Sequence, residues 1–237
     1  MNILLVNDDG YDAIGIITLK KLLSKYGKVV IVAPDSPRSG SGAALTIGKP
    51  IHVEKVDETT FKCDGTPVDC TAFGLTGLNI DFDLLVSGCN KGINCSYDTM
   101  YSGTVGAALE ALVHRKPAIA FSSPYNQDMS KLEKYFEKIW HLIMDHDLLS
   151  TEYFLNINFP VDEVRDIEIG GLSYRNDHNY FEVKEDGLYA SRILNYDTEN
   201  EKGTDWDQIN HGVISIVPIS KYLYNPAHLE ELKKKLK

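Results

Sequence analysis

Apolar residues fall along this chain in short blocks separated by amphipathic stretches. Asn2 to Val6 is a short, nearly continuous apolar run, the pattern of a strand covered on both faces. Ile14, Ile17, Leu22 and Tyr26 then recur near helical spacing and predict a helix from Ile14 to Tyr26, ended by Gly27. Val29 to Ala33 is a second buried strand, stopped by Pro34, and a polar, glycine-rich loop runs from Asp35 to Thr46. Ile51 to Val56 and Thr60 to Cys63 alternate around Asp57-Glu58 and predict a hairpin. Thr66-Pro67-Val68-Asp69 reads as a helix start, with Thr66 as N-cap and Pro67 in the first helical position. Leu84 to Ser87 is another buried strand, Ser102 to His114 a helix of small residues, and Ala118 to Ser122 a further strand. Ser130-Lys131-Leu132-Glu133 has the form of a capping box ahead of the stripe Leu132, Tyr135, Phe136, Ile139 and Ile143.

Strands separated by helices predict βαβ units and an α/β fold with a doubly wound, mostly parallel, Rossmann-like sheet over residues 1–160. From about Phe159 the texture changes to Tyr, Asp, Asn and Gly, with hairpin patterns around Tyr180 to Val183 and Leu188 to Ile193. Val213 to Val217 is one more apolar strand, and Pro226 to Lys237 places Leu229, Leu232 and Leu236 on one helical face. Residues 161–237 thus read as a smaller C-terminal extension of hairpins and a tail helix. A helix that short is marginal alone and needs something to dock on, such as another subunit.

The chain has 237 residues and a formal net charge of −10, with ordinary globular hydrophobic and charged fractions of 43% and 24%. An acidic balance disfavours nucleic acid as the main partner, since a phosphate backbone calls for a basic face. It does not exclude a small phosphate ester, because residues 1–128 carry only −3 of the total and residues 129–237 the other −7. No secretory signal is recognisable at the N-terminus and no apolar run approaches a membrane span. Cys63, Cys70, Cys89 and Cys95 form no CxxC pair, so reduced thiols and a cytoplasmic location are expected.

Ligands of an open parallel sheet bind at the carboxyl ends of its strands. Four polar loops are predicted there: Asn7-Asp8-Asp9-Gly10, Pro37 to Gly42, Ser87-Gly88-Cys89-Asn90, and Ser102-Gly103-Thr104. Adjacent carboxylates such as Asp8 and Asp9 repel unless a cation offsets them; a solvated pair at a helix start is the bland alternative. Carboxylate, hydroxyl and amide oxygens are hard donors that suit Mg²⁺ or Mn²⁺, and Ca²⁺ next, better than zinc. Ser39-Gly40-Ser41-Gly42 is neither a P-loop nor a dinucleotide fingerprint. The Ser102-Gly103-Thr104 helix start, rich in free N–H groups, can receive an anion, although a simple Ser N-cap explains it equally well. The seven histidines do not cluster, and no Gly-x-Ser-x-Gly elbow is present.

Taken together, Ile3 to Gly10, Ala33-Pro34-Asp35 with Arg38-Ser39-Gly40-Ser41, Gly65 to Cys70, Ser87 to Asn94, and Tyr101 to Val105 resemble the survival-protein E (SurE) family of metal-dependent nucleotide phosphatases. Weaker likeness continues into Gly203-Thr204-Asp205 and Ser215 to Pro218. The resemblance implies hydrolysis of nucleoside monophosphates, as a 5′-nucleotidase, with 3′-phosphates and short polyphosphate as open possibilities. It implies one divalent cation per subunit, Mg²⁺ or Mn²⁺, held by Asp8, Asp9, Ser39 and Asn90. Asp8, Asp9 and Asn94 would be catalytic, and Ser39, Gly40, Asn94, Ser102, Gly103 and Thr104 would bind substrate. A homodimer or tetramer that exchanges its C-terminal halves is also implied. The chain departs from the family pattern at Cys95-Ser96-Tyr97, at Glu110-Ala111, and from Asn176 to Tyr180, so base preference does not carry over. A signalling receiver domain is disfavoured, since Ser87 to Asn90 offers no phosphoacceptor Asp; a nucleotide-binding module without turnover is the remaining rival.

Overall fold

The computed structural model describes residues 1–125, 128–174, 178–194, 201–222 and 224–236. Its first half runs β1 (Asn2–Val6), α1 (Ile14–Leu23), β2 (Lys28–Pro34), β3 (Val53–Asp57), β4 (Thr60–Cys63), α2 (Pro67–Thr76), β5 (Leu84–Lys91), α3 (Asp98–Tyr101) and α4 (Gly103–Val113). The second half runs β6 (Ala118–Ser123), α5 (Ser130–Asp145), β7 (Tyr153–Asn158), β8 (Asp166–Ile169), β9 (His178–Glu185), β10 (Leu188–Leu194), α6 (Asp205–Asn210), β11 (Val213–Ser220) and α7 (Pro226–Lys235).

Nine strands form one sheet in the order β3-β4-β2-β1-β5-β6-β7-β11-β8, and β9 and β10 form a separate ribbon. The strands from β4 to β7 run parallel, while β3 and β11 are antiparallel to β4 and β7. β8, from the C-terminal stretch, returns parallel to β11 at the edge. The period-two alternation of β1 divides its side chains between two cores. Ile3 and Leu5 face Ile16, Leu19 and Leu23 of α1 and Phe136, Ile139 and Trp140 of α5. Leu4 and Val6 face Cys70 of α2 and Val105, Ala108 and Leu112 of α4. β1 sits between β2 and β5, so chain order reverses at its carboxyl end, the switch point where open α/β sheets leave a crevice.

Several local expectations meet the structure directly. The predicted Ile51–Cys63 hairpin is the β3–β4 pair. Thr66 caps α2 in a full capping box with Asp69, and Ser102 caps α4. Three readings need correction. The first helix stops at Leu23 rather than Tyr26, because Lys25 and Tyr26 fold into a turn that stacks the Tyr26 ring on Trp140 at 4.6 Å. Gly27 is needed instead for close packing, as a Cβ there would lie 2.2 Å from the Met1 carbonyl oxygen. The Ser130–Glu133 capping box does not form: Ser130 is already helical, and its N–H is taken by Asp128 Oδ1 at 2.9 Å. Ser87 to Asn90 is no loop but the interior of β5, where the register against β6 shifts. Gly88 permits this irregularity with φ of 121°, and a Cβ there would lie 2.2 Å from the Phe121 carbonyl oxygen.

In the C-terminal stretch, the Tyr180–Val183 and Leu188–Ile193 runs are the two arms of one antiparallel hairpin. Asn176 and Asp177, where the chain departs from the SurE pattern, lie outside the described residues, as does Lys237 at the end of the tail. No residue of α7 is buried, and its Leu229 and Leu232 stay exposed.

Candidate active site

The acidic pair stands at the carboxyl end of β1. Asn7, itself buried, closes the turn behind it: its Nδ2 donates to the Gly10 carbonyl at 2.8 Å, and the Gly10 N–H returns to Asn7 Oδ1 at 3.2 Å. Gly10 holds φ at 116°, a backbone angle that side chains resist. Asp8 is 4% exposed, and its Oδ1 accepts the Thr104 hydroxyl at 2.5 Å. Burial pushes the Asp8 carboxyl up to about 6; the Thr104 hydrogen bond opposes this and the charge of Asp9 adds to it. Asp9 is less enclosed, and burial raises it too, against the Lys91 N–H that donates to its Oδ2 at 2.9 Å.

The glycine-rich loop is fixed to this pair through the backbone, with the Arg38 N–H donating to the Asp8 carbonyl at 2.8 Å. Ser39 and Gly40 follow on an exposed crest, Gly40 with φ of 76°. Beyond them the Gly42 N–H donates to the Tyr101 carbonyl at the end of α3 at 2.9 Å, and a Cβ on Gly106 of α4 would lie 2.2 Å from the Gly42 carbonyl oxygen. Thr46 anchors the far end, giving its N–H and hydroxyl to the Asp69 carboxylate at 2.8 and 2.6 Å. Burial works to raise the Asp69 carboxyl, but these bonds and those from Thr66 outweigh it and hold it below its ordinary value.

Opposite stands the N-terminus of α4. Ser102 Oγ accepts the Val105 N–H at 3.2 Å, leaving its own hydroxyl proton free to donate. Gly103 lets Asp8, Ser41 and Pro67 come close: a Cβ there would lie 2.6 Å from Ser41 Oγ and 2.9 Å from both Asp8 Cβ and Pro67 Cγ. Thr104 spends its hydroxyl proton on Asp8, so only its backbone N–H remains for a ligand. Asn90 gives its amide nitrogen to the Gly92 carbonyl at 2.8 Å, next to Lys91, whose N–H is bonded to Asp9.

Asn94 is held from a different quarter. Its N–H donates to Asn158 Oδ1 at 2.7 Å, its carbonyl accepts Asn156 and Asn158 amides at 2.8 and 3.1 Å, and its own amide donates to Ser122 Oγ at 2.9 Å. Asn156 and Asn158 escape sequence reasoning. A signal is nevertheless present, since two asparagines stand within an otherwise apolar buried strand, and buried polar groups need partners.

Among the described residues no three His, Cys, Asp or Glu side chains converge. Any cation here would therefore rest on two carboxylates completed by hydroxyl and amide oxygens, a hard donor set. Asp8 is raised chiefly by burial and further by the charge of Asp9, and a divalent cation at the pair would offset both.

The family profile described as "Survival protein SurE" matches residues 3–179, most of the chain and every loop of this site. The chain belongs to the SurE family. A SurE relative from Petrotoga mobilis, named "5'-nucleotidase SurE", is 37% identical over 98% of each chain. One of the same name from Marinomonas sp. is 39% identical over 92% of this chain and 91% of its own. The crystal structure of the SurE protein from Aquifex aeolicus superposes on the whole of this chain with a TM-score of 0.86 at 31% identity. The SurE match therefore covers the α/β sheet together with the C-terminal strands and hairpin.

Proposed function

We propose that this SurE chain is a divalent-metal-dependent 5′-nucleotidase, hydrolysing nucleoside monophosphates to nucleoside and phosphate. The observation that carries the reading is the Asp8–Asp9 pair, Asp8 buried and Asp9 partly so, at the switch-point crevice, with Asp8 bonded to Thr104 at the N-terminus of α4. The names of the relatives point the same way. Asp8, Asp9, Ser39 and Asn90 would hold one cation per subunit, Mg²⁺ or Mn²⁺, which supplies Lewis-acid polarisation of a phosphate oxygen. The backbone N–H groups of Gly103 and Thr104, with the Ser102 hydroxyl and Asn94, receive the phosphate oxygens and the charge that develops on them. Thr104 orients the Asp8 carboxylate through its hydroxyl. A carboxylate oxygen of Asp8 accepts the proton of the attacking water.

Other features support finer parts of the reading. α7 has no buried residue and leaves Leu229 and Leu232 exposed, which supports a homo-oligomer. All four cysteines are buried thiols outside any disulfide, consistent with a reducing cytoplasm. No helix among the described residues is long and apolar enough to cross a membrane.

Phosphate release from AMP and GMP, measured with Mn²⁺, with Mg²⁺ and after chelation, tests the proposal. The expected result is metal-dependent release lost in Asp9→Ala. AMP binding without release, unchanged in Asp9→Ala, would make the chain a binding module instead. Recovery of a phosphorylated Asp8 from quenched turnover would replace water attack by a covalent route.

A further inference from the structure

Asp205, at the start of α6, lies in the C-terminal stretch and is wholly buried. Its carboxylate is held by three backbone N–H groups from separate places. Oδ2 accepts Ser96 N–H at 2.9 Å, across 109 residues of sequence. Oδ1 accepts Ser173 N–H at 2.9 Å and Trp206 N–H at 2.8 Å. Its own N–H donates to the Gly171 carbonyl at 2.8 Å, so side chain and backbone together bind the 171–173 turn. The effect on the other side falls on the loop that carries Asn94. Ser96 holds φ at 55°, a left-handed angle a serine seldom keeps without compensation. The residues that follow the two bonded serines, Tyr97 and Tyr174, meet edge to face with centroids 6.0 Å apart.

We infer that Asp205 is a positioning residue for the phosphate site: it fixes the 94–97 loop so that Asn94 meets the substrate. The inference rests on the nucleotidase reading of that site. The loop is gripped at both ends, by Asn156 and Asn158 of β7 at Asn94 and by Asp205 at Ser96. An ionised acceptor holding several N–H groups is a strong tie, worth more than neutral hydrogen bonds. Asp205→Asn is the informative substitution because it is isosteric. An amide oxygen can keep the two donors at Oδ1, but the amide nitrogen then confronts the Ser96 N–H, donor against donor, and releases that loop alone.

The test compares wild type, Asp205→Asn, Asn94→Ala and the double variant with AMP and Mn²⁺. Asp205→Asn is expected to lower kcat/KM by roughly tenfold, while Mn²⁺ affinity, measured by calorimetry, stays within about twofold because Asp8, Asp9 and Asn90 lie outside this tie. In the Asn94→Ala background the same change is expected to cost little more, since Asp205 acts through Asn94. A purely structural role would lower the melting temperature with kcat/KM per folded molecule unchanged, and that result overturns the inference, as do additive effects in the double variant. If Asp205→Asn does not fold, amide exchange in the wild-type protein decides: slow exchange at Ser96 supports the tie, and exchange at the rate of a free loop removes it. Wild-type protein that releases no phosphate overturns the nucleotidase reading itself, whereas an active wild type with an unimpaired, folded Asp205→Asn overturns only this inference.

Discussion

Replacing Asp8 by Asn should stabilise the metal-free protein while destroying its activity. Folding moves the Asp8 carboxyl from an ordinary value near 3.8 up to about 6. The ionised form is therefore disfavoured in the native state, and the penalty grows as pH rises from about 4 through 6 before levelling off. A rise of that size corresponds to about 3 kcal/mol at pH 7.5, falling to about half of that at pH 5. Asn keeps an oxygen for the Thr104 hydroxyl, so the native hydrogen bond survives and only the buried charge is removed. For a chain of this length the gain should raise Tm by roughly 6–12 °C. The assay is thermal unfolding of both proteins in a chelator across pH 5 to 8, repeated with Mn²⁺. We expect the gap between the two to widen with pH in chelator. Added Mn²⁺ should then close it by stabilising wild type alone, since ligand that binds only the native state raises stability by mass action. A metal-free Asp8→Asn protein that is less stable than wild type, or a gap that does not change with pH, would refute the electrostatic account of the pair.

Three further outcomes follow from the same geometry. Gly103→Ala places a methyl group below 3 Å from Ser41, Asp8 and Pro67 at once; overpacking of about 1–3 kcal/mol is expected, and AMP turnover should fall even where the protein remains folded. Asp69→Ala removes the acceptor of Thr46 and Thr66 and frees the far end of the 35–46 loop. Wild type should owe Asp69 stability that is present above the ordinary carboxyl range and lost as pH falls through its lowered value, and acid titration of the two proteins should show their curves converging at low pH. Leu232→Glu places a charge on the uncovered face of α7; if that face joins subunits, sedimentation should shift toward the monomer, and an unchanged mass would place the contact elsewhere.

What is legible in the sequence is local. β1 and β2 announce themselves as continuous apolar runs because both faces of a central parallel strand are covered. The caps at Thr66 and Ser102 are readable because their donors lie three residues away. The acidic pair can be placed at a strand end from the chain alone, and its partner Thr104 lies within a motif that the sequence itself singles out. The Ser130–Glu133 pattern misleads for the opposite reason: a capping box is one of two ways to satisfy the same N–H groups, and Asp128 supplies the other. β8 is short and mostly exposed, so it carries no burial pattern to read. Asn158 and Asp205 act across 64 and 109 residues: an asparagine within an apolar strand marks a polar group in need of a partner, but the linear pattern does not say which distant loop it clamps.

The span between those partners also has a direction in time. A chain emerging from the ribosome presents Asp8, Asp9, Ser39 and Asn90 first, and Asp205 only 115 residues after Asn90. At about 5–20 residues per second that interval is roughly 6–23 s, during which the 94–97 loop lacks its tie to Asp205. Synthesis order thus separates the oxygen donors proposed to hold a cation from the residue proposed to latch the phosphate-binding loop.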